Sequence, residues 1–86
     1  MQASRIGSRP RVLVGVRYPE YERQLLTALS AGGFEIAGRC LDGPSLVAQA
    51  DQVDAVLASA DLHRLTFESL EVVRSSGKPL VLLVER

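Results

Sequence analysis

The stretch RVLVGVRYPEYERQLLTALSAGGF, from Arg11 to Phe34, decides the fold. Arg11–Val16 is a continuous apolar run of strand-forming residues, the pattern of a strand covered on both faces. Pro19 follows where a helix would start, a position at which its missing N–H costs nothing. Glu20 and Glu22 then place negative charge near the positive end of the helix dipole. Tyr21, Leu25, Leu26, Ala28 and Leu29 form one stripe at spacings of three and four. Gly32-Gly33 supplies a helix stop that accepts a left-handed residue. The reading is strand, helix, stop and second strand.

The same alternation continues to the end of the chain. Phe34–Cys40 reads as a second strand, interrupted by Glu35 and Arg39 and therefore placed at an edge. Asp42-Gly43-Pro44 is a turn opening another helix, with Leu46, Val47 and Ala50 on its inner face. Val53–Ala58 is a third buried strand. Ser59–Thr66 is a loop carrying Asp61, His63 and Arg64. Thr66 caps a helix over Phe67–Ser76, with Phe67, Leu70 and Val73 as core positions and Gly77 as its stop. Pro79–Val84 is the fourth strand.

Single helices between strands imply right-handed crossovers and a parallel sheet covered on both faces. The α/β class expected is the flavodoxin-like three-layer sandwich, with order 2-1-3-4 and a fifth strand missing from this chain. In that order the last strand, reading LVLLV, is an open apolar edge, an aggregation liability when bare. The expectation is a fragment of a longer protein, with pairing of the last strand to a second copy as the alternative.

Size and composition narrow the function classes. Eighty-six residues make one small domain, and the formal net charge is zero, with ten basic and ten acidic side chains. That balance offers no basic field for direct nucleic-acid binding. One cysteine, Cys40, cannot form an internal disulfide. With no secretory apolar segment, a reducing cytoplasm is the expected compartment. The apolar runs Val12–Val16 and Leu80–Val84 are too short for membrane insertion and fit buried strands. Residues 1–10, MQASRIGSRP, read as a disordered basic arm, and residues 11–86 as the folded domain.

Common catalytic signatures are missing. Ser45, Ser59, Ser75 and Ser76 lack a G-x-S-x-G context, and neither GxGxxG nor GxxxxGK[ST] occurs. His63 lies near Asp61, but no second His or Cys stands at metal-ligand spacing, so it reads as a solvated loop residue. Cys40 reads as a small buried residue with no partner base. No cofactor is implied.

The segment VLVGVRYPEYERQLLTALSAGGFEIAG resembles the first βαβ unit of response-regulator receiver domains, and the likeness extends over the chain from Arg11 onward. The resemblance implies a phosphoryl-transfer site: two acids after strand one holding Mg²⁺, an aspartate ending strand three, a hydroxyl after strand four and a lysine after strand five. The metal is hard and needs carboxylate oxygens, and the charge developing on the phosphoryl oxygens must be neutralised. Counting back from Pro19, the acid pair falls on Val16 and Arg17. The switch hydroxyl falls on Val84. The acceptor falls on Ser59 when counted from Asp54, and on Asp61 when counted back from the helix segment SLEVVR.

A degenerate site of this kind resembles pseudo-receivers, among them the atypical receivers that precede the ATPase domain in MinD/ParA-like pilus-assembly and localisation ATPases of the TadZ/CpaE type. It implies protein–protein contact, dimerisation or localisation within a larger bacterial protein, and no catalysis. Two alternatives stay open: a phosphoacceptor receiver using Asp61, and a small-ligand sensor at the strand ends, where Arg17, Tyr18, Ser59, Asp61 and Arg64 gather.

Overall fold

Val12, Leu13, Val14 and Val16 are all buried, because β1 (Arg11–Gly15) runs through the middle of the sheet with neighbours on both sides. The computed structural model describes residues 9–84. The arm expected over residues 1–10 lies outside the described residues except for Arg9 and Pro10, and the Pro10 carbonyl accepts from the Glu35 amide. The remaining elements are α1 (Pro19–Ala31), β2 (Glu35–Arg39), α2 (Gly43–Gln49, followed by a 3₁₀ turn at Ala50–Gln52), β3 (Ala55–Ser59), α3 (Phe67–Ser75) and β4 (Leu80–Leu83). The sheet is parallel throughout, in the expected order β2-β1-β3-β4.

Local chemistry sets the element ends. Pro19 opens α1 with Glu20 and Glu22 in its first turn, and Gly33 closes it at φ 91°, a conformation that costs a glycine little. The Asp42 carboxylate accepts from the Ser45 amide at 2.9 Å and caps α2. Thr66 and Ser69 form a reciprocal capping box at the start of α3. Between Val12 and Leu13 the pairing with β2 slips by one residue, from Ile36 to Gly38.

Alternation along β1 sends side chains to two unequal layers. Leu13 joins Cys40, Leu46, Ala50, Val53, Val56, Ala58 and Val73 in the cluster under α2 and α3. Val12, Val14 and Val16 form the second cluster, covered by α1 alone through the partly buried Leu25, Leu26 and Leu29. No residue of α1 is fully buried.

That imbalance corrects three expectations. Leu80–Val84 is not a buried strand: β4 pairs with β3 on one side only, and Val81, Leu82 and Val84 are 49%, 39% and 73% exposed. Tyr21 and Ala28 leave the inner stripe of α1, because a single helix contacts the sheet along a narrower line than the stripe provides. Phe67 is 77% exposed, since it occupies the first turn of α3, well ahead of Val73, the residue by which this helix enters the core.

Candidate functional site

The carboxyl ends of β1, β3 and β4 bring four of the five sequence-identified positions close together, with Val84 at the margin. Gly15 pairs with Ala58, so Val16 and Ser59 stand one step further along adjacent strands. The Val16 side chain is buried against the α1 layer. Ser59 is also buried, and its hydroxyl accepts from the Arg17 amide at 3.2 Å. This bond ties the end of β1 to the end of β3.

The loop after β3 turns at once. Leu62 N–H donates to the Ser59 carbonyl and Leu65 N–H to the Leu62 carbonyl. Asp61 therefore leaves the strand path and stands exposed beside Arg17. The Arg17 guanidinium lies 3.9 Å from an Asp61 carboxylate oxygen and 5.4 Å from the centre of the Tyr18 ring. Tyr18 in turn meets Tyr21 edge-to-face at 6.0 Å. Leu83 pairs with Ser59, which leaves Val84 one step beyond the ladder and exposed.

These residues border a groove of about 490 Å³ between α1 and β4. Its floor and walls are Val16, Leu25, Ala28, Leu83 and Val84, with Tyr18, Tyr21, Gln24, Ser59 and Asp61 around them. The size falls within the usual range of small-molecule pockets. The single carboxylate in its lining already faces a guanidinium. Among the described residues, no group of three or more His, Cys, Asp or Glu side chains is placed to hold a metal ion.

The other singled-out residues are structural in their surroundings. Burial and then the nearby Asp42 charge push the Cys40 thiol above its ordinary value, away from the reactive thiolate. His63 is exposed and bridges to Asp42, with its carbonyl accepting from the Gly43 amide. Arg64 adopts φ 56° and packs its backbone against Gly43. Sequence reading treated Asp42-Gly43-Pro44 as a local helix start and missed this junction of two loops. The glycine itself was the available signal, since it marks close backbone approach as well as turns.

Comparison with solved structures supports the fold. The chain superposes on the signal receiver domain of a modulated diguanylate cyclase from Desulfovibrio desulfuricans G20, described as an example of alternate folding, with a TM-score of 0.77 and 18% identity. The match covers 88% of this chain and 65% of that one. At that identity the likeness establishes a receiver-like, flavodoxin-like fold and nothing finer. No protein-family model matches the chain, and neither does any curated protein.

Proposed function

We propose that this receiver-fold domain works by protein contact, without Mg²⁺-dependent phosphoryl transfer. Its setting is a larger bacterial regulatory or pilus-assembly protein in the cytoplasm, of which the MinD/ParA-like ATPases of the TadZ/CpaE type are one example that the sequence resembles. The observation that carries the reading is the pair Val16 and Arg17 at the mouth of the site. One is a buried hydrocarbon, and the other directs its guanidinium to Asp61 at 3.9 Å. A hard divalent ion takes oxygen ligands, usually including carboxylates, and Arg17 both repels such an ion and competes for the one acid nearby.

Amide NMR during titration with Mg²⁺ and beryllofluoride tests the proposal. The expected result is no saturable shift around Ser59 and Asp61. Saturable shifts centred on Asp61 would replace it with the phosphoacceptor reading.

The groove beside Ser59 and Asp61 favours a second reading, a sensor of small ligands. Thermal-shift measurements with nucleotides and organic anions check it. Stabilisation that Arg17→Ala abolishes supports the sensor, and uniform silence removes it.

A further inference from the structure

The connection from β3 to α3 is a folded strap held down on two glycines of neighbouring elements. Leu62 Cδ2 and Leu46 Cδ1 lie 3.0 and 3.1 Å from the point where a Gly15 Cβ would stand, so the missing side chain at the end of β1 is the seat that receives Leu62. Leu62 is 4% exposed, although Asp61 and His63 on either side of it face solvent. The second seat is Gly43, across which the backbone of Arg64 and Leu65 lies too close for any Cβ. There the Gly43 amide donates to the His63 carbonyl at 2.8 Å.

These fastenings are few. Of Asp61–Arg64 only Leu62 is buried, and the Arg17–Asp61 ion pair is long and open to water. Against them, Arg64 is held at φ 56°, a left-handed state that a residue with a Cβ disfavours. A segment with few buried apolar contacts opens at lower free energy than the core around it. The strands beneath are better held, since β1 and β3 each pair on both sides. Two amides three residues apart separate these levels. The Cys40 amide donates to the Val14 carbonyl of β1 at 2.7 Å, and the Gly43 amide donates to the strap. Both residues are buried. Exchange at Cys40 therefore requires β2 to leave β1, whereas exchange at Gly43 requires only that the strap lift.

We infer that Asp61–Arg64 is a conformational strap that lifts as a unit while the sheet stays folded, with Leu62 in the Gly15 seat as its latch. Lifting parts Asp61 from Arg17 and brings Leu62 out of the core. The mouth of the site thus has two surface chemistries, closed and polar or open and apolar. The groups that hold the strap belong to β1, to Arg17 just after it and to the start of α2. The device goes beyond the protein-contact reading and stands whether or not that reading holds.

Native-state amide exchange on the full chain tests the strap, under conditions where reclosing outruns exchange. After correction for intrinsic rates, Gly43 is expected to exchange at least about tenfold faster than Cys40 and to respond less to low denaturant, because lifting exposes less surface than unfolding. Leu62→Ala weakens the closed state and should speed Gly43 at least about tenfold. Leu29→Ala, in the α1 layer on the opposite face, weakens closed and lifted states alike relative to the unfolded chain. It should speed Cys40 and leave Gly43 within about twofold. One shared rate with one denaturant dependence overturns the proposal, as does equal acceleration of both amides by Leu29→Ala. A folded Leu62→Ala with unchanged Gly43 exchange overturns the latch, and if that variant does not fold, the wild-type and Leu29→Ala comparisons decide alone.

Discussion

The Arg17 amide donates to the buried Ser59 hydroxyl at 3.2 Å, while the Arg17 side chain stays outside with Asp61. The two halves of one residue thus do different work. The backbone bond closes the top of the sheet, and the solvent-facing ion pair adds little. Ser59→Ala is expected to lower unfolding free energy by about 1–2 kcal/mol, because a partly buried donor loses its acceptor. Arg17→Ala should cost less than about 1 kcal/mol, the usual ceiling for an exposed pair. Urea unfolding of both variants measures the contrast, and equal losses would contradict it.

Gly43 is required by close approach. A Cβ there would collide with the backbone of Arg64 and Leu65, which cannot move aside as a flexible side-chain end would. Gly43→Ala should destabilise by about 2 kcal/mol or more, in the range of overpacked interiors. Gly33→Ala meets no neighbour and should cost only about 1 kcal/mol, the penalty of a left-handed alanine. Thermal unfolding of the two variants ranks them, and the reverse order would remove the loop junction as a structural constraint.

Asp42 couples stability to acid. The Ser45 amide, then the Ser45 hydroxyl, hold its carboxyl below the ordinary value of 3.8, assisted by Arg64 and His63 and opposed by burial. A depressed folded value means that the contribution is complete above pH 3.8 and disappears as pH falls through the lower folded value. Wild type minus Asp42→Ala stability should therefore be flat near neutrality and shrink in the acid limb. Asp42→Asn should keep most of the cap and lose that pH dependence. Denaturation at stepped pH reads both, and a flat difference through the acid range would contradict the prediction.

The starts and stops of α1 and α3 were legible because they rest on short-range chemistry: Pro19 with its acids, Gly33 and the Thr66 cap; the order of the sheet followed from the alternation of strands with single helices and the crossovers it implies. The mouth of the site was legible only as a set of positions. Counting in sequence gave two acceptors, Ser59 and Asp61, because alternation does not reveal where a strand stops. In the structure the strand ends at Ser59 and the chain turns there, which separates the two by environment. Phe67 and Tyr21 were misjudged for a related reason. Periodicity identifies an apolar stripe, but how much of it finds a neighbour depends on the layer packed against it.

That dependence gives the last prediction, a difference between the two faces of the sheet. Leu46 is fully buried in the α2–α3 cluster, whereas Leu25, on the sheet-facing side of α1, is only partly buried beside the open groove. Leu46→Ala should remove about 2–5 kcal/mol, a transfer term plus a cavity that packed neighbours cannot fill. For a domain of 86 residues, total stability is about 4–13 kcal/mol, so this variant approaches the unfolding threshold. Leu25→Ala should cost about 1–2 kcal/mol, since fewer of its methylenes leave water on folding. Chemical denaturation at one low protein concentration compares them on equal terms. Equal costs would mean that the α1 face is as well covered in solution as the opposite one, and that this groove is closed.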